Sequence, residues 1–416
     1  MKHLALTLAW LAATTSIAVA QALPSALRLA DAIAAADASN PEIAAARRAV
    51  DVARATLTQT AQSPLEAQIV PGVTTDVPHG LGVLQTLGAG ISQQISPTIA
   101  AERVAAQSGI AIAAAQFAGV RRDVDGRVVT AYYALASAQA IVNATRQSVD
   151  NAKQIENGAS IRAKVGAVGS FEALRAHVEL RRVQTDLLRA QAAERSAQIA
   201  LNVLLARSTA DPNTVVMPTP VSSAPDTQML YAQAQRIDPQ LAQFRASVEQ
   251  AVAQERSAKS QRAPSVGLNV GYLVQRAPAF GGISSGGPTA ALTVSVPLGD
   301  RGTIRGAEQA ARARQAVARE QLRGRAAQVQ ADVEQTVAAI ESAKARLAFS
   351  NTSLDQAREV LRLAQFGYER GALSVLDILS ARNELAAAQS EVTQASADLG
   401  ASVGRLQLTV GEPVSP

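Results

Sequence analysis

A long helical stretch from Thr303 to Arg370, roughly 68 residues with no proline and with a heptad seam from Val333, most constrains what this chain folds into. Large apolar residues recur seven apart at Val333, Ile340, Leu347, Leu354, Leu361 and Tyr368. Three residues after each of the first five comes a small one: Thr336, Ala343, Ser350, Ala357 and Ala364. Bulky a and small d positions let partner helices approach closely. At 1.5 Å per residue the spacing predicts a rod about 100 Å long, which no single globular core needs. The same seam occurs earlier, at Val128, Leu135, Val142 and Val149, with Ala131, Ala138, Thr145 and Ala152 as the small partners. Val128 and Val333 stand 205 residues apart, and the other matched pairs keep that offset. The chain reads as one unit written twice.

Only 3% of the 416 residues are aromatic, which is thin for large cores, whereas abundant alanine with interspersed Arg, Glu and Gln suits helices packed side by side. Met1-Lys2-His3, the apolar run Leu4 to Val19 and Ala18-Val19-Ala20 form the three parts of an export signal, so residues 1–22 are set aside from the fold. An uncleaved anchor is the alternative reading, although no later stretch resembles a second apolar spanning helix. There is no cysteine, which excludes disulfides and a lipidated cysteine after the signal. The net charge is +5, but the arginines are scattered among glutamates along helices. That pattern is a solvated helix face rather than a nucleic-acid surface.

Taken in order, repeat 1 covers 23–208, a Pro/Ser-rich connector 209–226, repeat 2 covers 227–410, and 411–416 is a short tail. Asn40 caps a helix beginning at Pro41, and Asp238-Pro239 repeats the device. After Pro64 the apolar period changes from about 3.6 to 2. Leu65, Ala67, Ile69 and Val73 alternate with smaller or polar residues, and after a loop at 78–82 so do Ala89, Ile91 and Ile95. In repeat 2 the alternating sets are Val266, Leu268, Val270, Tyr272 and Val274, then Ala290, Leu292, Val294 and Val296, separated by a loop expected over 281–288. Four strands of roughly ten residues, apolar on one face, fit membrane β-barrel strands, with Leu268, Val270, Leu292 and Val294 facing lipid. Soluble hairpins with one buried face share the alternation. The export signal and the paired rods favour the membrane. Each strand pair leads into a long helix, Thr98 to Val165 or Thr303 to Arg370. Each long helix breaks at glycine, Gly166-Ala167-Val168-Gly169-Ser170 or Gly371-Ala372-Leu373-Ser374, and a return helix follows. Ser170 and Ser374 are the expected caps, with Glu172 and Asp377 in the favourable first turn.

Four strands cannot close a barrel, and unpaired backbone in lipid costs several kcal/mol per group, so an oligomer is implied. Three copies would supply twelve strands, whereas eight from a dimer would be too narrow for an open channel. The order of helix, two strands, long helix, tip turn and return helix, written twice, resembles the TolC-type outer-membrane channel family. The resemblance extends over the whole mature chain. It rests on Asp31-Ala-Ile, Asn40-Pro41 and Ala45-Ala-Arg47, on Val296-Pro-Leu298, and on the run from Phe366 to Leu379.

The resemblance implies a homotrimeric duct: a 12-stranded β-barrel, four strands per chain, in the outer membrane on a long α-helical coiled-coil barrel in the periplasm. It further implies docking on a periplasmic adaptor and on an inner-membrane pump, RND or ABC, that supplies the energy, with outer-membrane lipid around the barrel and no cofactor. Tyr368 and Asp377 fall where family members hold the periplasmic aperture closed, while Leu373 and Ser380 replace an arginine and an aspartate used there. The closing network would then draw on Arg162, Glu172 or Arg370. The tip turns, 166–170 and 371–374, are the expected adaptor surface. The short mature chain and Pro297-Leu-Gly-Asp-Arg-Gly302 are similar to the heavy-metal efflux branch; drug efflux and a type I secretion duct are the alternatives.

No metal-ligand constellation surrounds His3, His79 or His177, and no nucleophile, His–carboxylate spacing or phosphate loop suggests an enzyme. An exported coiled-coil spacer or adhesin would explain the heptads but not four alternating segments at matched places.

Overall fold

Two rods dominate the molecule because the seams exclude water along their whole length. The structure, a computed structural model, describes residues 27–61, 65–74, 84–166, 169–217, 227–277, 283–298 and 302–412. The proposed export signal lies outside these residues, as do the expected loop at 78–82 and the last residues of the tail. Two helices, α1 (Leu29–Ser39) and α2 (Pro41–Ala61), precede the strands β1 (Leu65–Thr74) and β2 (Leu84–Ile95). The first rod, α3 (Ile99–Lys164), then turns into α4 (Ser170–Leu204). The order recurs as α5 (Thr227–Ile237), α6 (Pro239–Ser260), β3 (Ser265–Ala277), β4 (Ile283–Ser295), α7 (Thr303–Glu369) and α8 (Val375–Val410). The rods hold 66 and 67 residues, which the helical rise converts to about 100 Å.

Val128, Leu135, Val142 and Val149 are buried along α3, and so are Val333, Ile340 and Leu354 along α7. Leu347 is partly buried against the cluster of Val333 and Ile340, and Leu361 and Tyr368 against a separate one of Ala364, Ile378 and Ala381. α3 packs on α4 and α7 on α8, making two long hairpins; α3 also packs on α8 and α6, and α6 on α7. The largest core lies where α1, α3, the end of α4 and α8 meet, around Leu29, Val124, Tyr132, Leu135 and Leu201.

Local capping agrees with the sequence at both Xaa-Pro sites. The Asn40 carboxamide oxygen accepts from the Glu42 and Ile43 N–H groups, at 2.8 and 3.4 Å. Asp238 accepts from the Leu241 N–H at 2.7 Å and from Arg325 at 2.9 and 3.3 Å. Ser374 and Asp377 make a full capping box.

Three expectations need correction. The cap of α4 is Gly169, not Ser170, which is already the first helical residue. The loop expected over 281–288 is mostly strand: β4 starts at Ile283, and Pro288 pairs opposite Tyr272. Within one chain β4 is an edge of the sheet, the position at which strand proline is found. The connector is not all surface. Val215 bridges in parallel to Leu27, and the Tyr132 hydroxyl lies 2.8 Å from both the Leu27 and Val216 carbonyls. On α4 the His177 Nδ1 lies 3.5 Å from a Glu156 carboxylate oxygen.

Candidate functional site: the sheet faces and the helical tips

At one end of the molecule the strands form a single antiparallel sheet in the order β1-β2-β3-β4. Register aligns Ala67, Ile91, Val270 and Ala290 in one row, and Ile69, Ala89, Tyr272 and Pro288 in the next. Leu268 lies opposite Leu292 and Val266 opposite Val294. Because side chains alternate across a strand, all these residues share one face. The face is open: Ile69 is 76% exposed, Leu292 70%, and Leu268, Val270 and Val294 are likewise exposed. So large an uncovered apolar surface marks contact with lipid or protein rather than water. The four residues expected to face lipid all belong to it.

The opposite face carries Glu66, Ser92, Asn269 and Ala291 in one row and Gln94, Gly267 and Thr293 in another. With Glu102 at the start of α3 these polar groups line an open cavity. Gly90 and Gly271 face each other across β2 and β3 on this side. A Cβ at Gly271 would lie 2.7 Å from the Ala89 carbonyl oxygen and 2.8 Å from the Gly90 Cα, so only glycine permits the approach. Sequence patterning gave no sign of this pair.

At the far end are the two tips. Gly166 and Gly371 both adopt φ of +74°, the left-handed conformation that terminates a helix without Cβ strain. The Ala372 and Leu373 N–H groups both donate to the Gly367 carbonyl, at 2.8 and 3.2 Å. Leu373 folds back over Gly367, where a Cβ would meet its Cδ1 at 2.7 Å, yet the side chain remains 41% exposed. Ala167 and Val168 lie outside the described residues.

Of the five gate candidates, the structure brings two together. The Arg162 guanidinium, at the end of α3, donates to the Tyr368 hydroxyl near the end of α7 and sits 5.4 Å from that ring's centroid. This contact joins the two long hairpins. Arg370 instead stacks on Phe366 at 3.8 Å. Asp377 is engaged in its own cap, where hydrogen bonds from the Ser374 hydroxyl and N–H hold its carboxyl below the usual carboxylate range. Glu172 stands in the first turn of α4, half-buried.

No helix among the described residues is long and apolar enough to cross a membrane, and no group of His, Asp or Glu there could hold a metal ion.

Residues 230–412 match the family of outer membrane efflux proteins. No curated protein sequence matches the chain. Among solved structures, the VceC outer membrane protein of Vibrio cholerae superposes with a TM-score of 0.76 at 19% identity, over 93% of this chain and 97% of that one. The Campylobacter jejuni CmeC outer membrane channel gives 0.76 at 16% identity, over 92% and 85%. The open state of the Neisseria gonorrhoeae MtrE outer membrane channel gives 0.75 at 18%, over 93% and 90%. At such identities the superpositions establish the fold, and the family match covers residues 230–412. The chain has the fold of outer membrane channels, and its second repeat carries the sequence match to the outer membrane efflux proteins.

Proposed function

We propose that three copies of this chain close into a passive exit duct: a 12-stranded β-barrel in the outer membrane above a periplasmic helical tube. Its tips would dock on a periplasmic adaptor and an inner-membrane pump of the RND type, carrying heavy-metal ions or drugs. The supporting observation is a pattern of contacts that the chain begins and does not finish. β2 of the first repeat pairs with β3 of the second, α3 packs on α6, and α3 packs on α8. Each is a contact from the first unit to the second. The corresponding contacts from the second unit onward would be β4 with β1, α7 with α2, and α7 with α4. None is among the main packed pairs within the chain, and β1 and β4 are free edges. The next copy supplies them if the ring repeats six near-equivalent units, which requires three chains. The exposed Val52 on α2, Val178 and Leu188 on α4 and Phe349 on α7 fit such missing neighbours.

The chain has no native cysteine, so introduced pairs report cleanly. Cysteines at Ala67 or Ile69 on β1 and at Ala290 or Leu292 on β4 should crosslink between chains in outer-membrane vesicles, with a ladder ending at three. A ladder ending at two, or continuing past three, would overturn the closure.

A further inference from the structure

Arg382 on α8 lies about 12 Å, eight residues, beyond the cap at Ser374. Its Nε and Nη1 are shielded from solvent and have no hydrogen-bond partner. The residue as a whole is half-buried, and a guanidinium shielded on one side without a counter-charge is disfavoured, so such groups are usually paired. The surroundings supply no free acid. Arg382 lines a cavity of about 250 Å³ between the two hairpins, walled by α3, α4, α7 and α8 of one chain. The other polar groups on its wall include Gln147, Asn151, Gln365 and Asn383, all neutral amides. Glu179 is the only carboxylate among the lining residues, and it is already held by Arg182, with contacts of 2.6 to 3.1 Å, and by a hydrogen bond from the Asn383 amide.

Comparison of the two units explains the vacancy. His177 occupies in α4 the place of Arg382 in α8, and its ring meets Glu156 on the adjacent rod. The residue of α7 matching Glu156 is Leu361, which lines the Arg382 cavity. The second unit thus has arginine at the place of His177 and leucine at the place of the acid.

We propose that this cavity is a site for a small oxyanion, of the sulfate or phosphate class, held by the Arg382 guanidinium with amide donors from Gln147, Asn151 or Gln365. A slight turn of the guanidinium would present its donors in the forked geometry that suits such anions. Amides supply neutral donors for the remaining oxygens, and 250 Å³ is ample for one such ion. The bound ion would tie α8 to the first hairpin.

The test uses the full-length protein, purified in detergent in its native assembly state. Sulfate and inorganic phosphate are each titrated at constant ionic strength against a large, weakly binding anion, and the thermal midpoint is followed. The expected result is a saturable rise in the midpoint. The apparent affinity should fall at least tenfold in Arg382→Gln and vanish in Arg382→Leu, with secondary structure and assembly unchanged by circular dichroism and native electrophoresis. An equal rise in wild type and Arg382→Gln would overturn the site, since it would be a general salt effect. The absence of any saturable rise would overturn it as well. In that case Arg382→Leu should simply raise the midpoint at every salt composition, as removal of an unpaired, half-buried charge does. Should both variants misassemble, isothermal titration of wild type with sulfate decides: measurable heat with one site per chain supports the proposal, and none overturns it.

Discussion

Asp125 and Asp238 are both buried carboxylates beside the same junction of helices, yet their neighbours give them opposite characters. Asp238 loses solvation on burial, but hydrogen bonds from Arg325 and the Leu241 N–H, with the charges of Arg325 and Arg122, more than offset this. Its carboxyl is held below the usual range. Asp125 has no such help: its Oδ1 lacks a partner, burial raises it to about 6, nearby Asp37 adds to the rise, and Arg121 only partly opposes it. Arg121 is itself engaged with Asp37. The raised folded value means that the folded chain binds more protons than the unfolded one between the ordinary carboxylate value and about 6. Stability should therefore fall as pH rises through that window and level off above it. Asp125→Asn should remove this slope and raise stability at neutral pH by up to about 3 kcal/mol. Melting wild type and variant at pH 4, 5 and 7.5 checks it; parallel slopes would show that Asp125 does not titrate as described.

At the scale of elements, the strand register makes the sharpest demands. Val270 lies in the exposed apolar row with Ile91 and Ala290, whereas Asn269 lies in the polar row with Ser92 and Ala291. Arginine at Val270 or Val294 should cost about 2–4 kcal/mol if the strand is near the bilayer midplane, while a charge at Asn269 should be tolerated. Yield of heat-resistant oligomer from outer membranes is the readout, and the reverse outcome would mean a register wrong by one residue. The tip turns make a different demand. Leu373 rests on Gly367, so part of its apolar surface belongs to its own turn, yet the remainder faces out. Replacing Val168 and Leu373 together with aspartate should leave assembly intact, because the turns lie outside the seams and strands. Export and crosslinking to the cognate adaptor should both fall, since a charge in an apolar contact is desolvated without a partner. Unchanged crosslinking in an assembled double mutant would place docking elsewhere.

For the whole molecule, the Arg162–Tyr368 contact is the one to test, because it joins α3 to α7 close to both tips. If the tips close a tube, a bond between hairpins restrains their outward movement. Arg162→Ala removes both the hydrogen bond and the cation–π contact, and Tyr368→Phe removes only the first. Single-channel conductance in planar bilayers should rise above wild type in Arg162→Ala and to an intermediate level in Tyr368→Phe. Wild-type conductance in properly assembled Arg162→Ala would show that this contact does not restrain the aperture.

The seams, the strands, the glycine breaks and the twofold writing of the chain were all legible in the sequence, because each is a local periodicity or a local steric demand. Val128 to Val149 and Val333 to Tyr368 announce their rods by spacing alone, and Gly166 and Gly371 announce the turns because only glycine enters the left-handed region freely. The start of β4 was not legible, because Gly286-Gly287-Pro288 has loop composition; pairing with β3 makes it strand. Nor could spacing show that Val215 joins the core beside Leu27, or that Gly90 meets Gly271, since both bring together residues far apart along the chain. The gate candidates show the same division. Arg162 and Tyr368 could be named from sequence, but only the packing of one hairpin on the other placed the guanidinium on the ring. Arg382 and Asp125 carry no sequence signature at all, because what distinguishes them is the absence of a partner. Burial and the neighbours contributed by other helices decide that, and those exist only once the chain has folded.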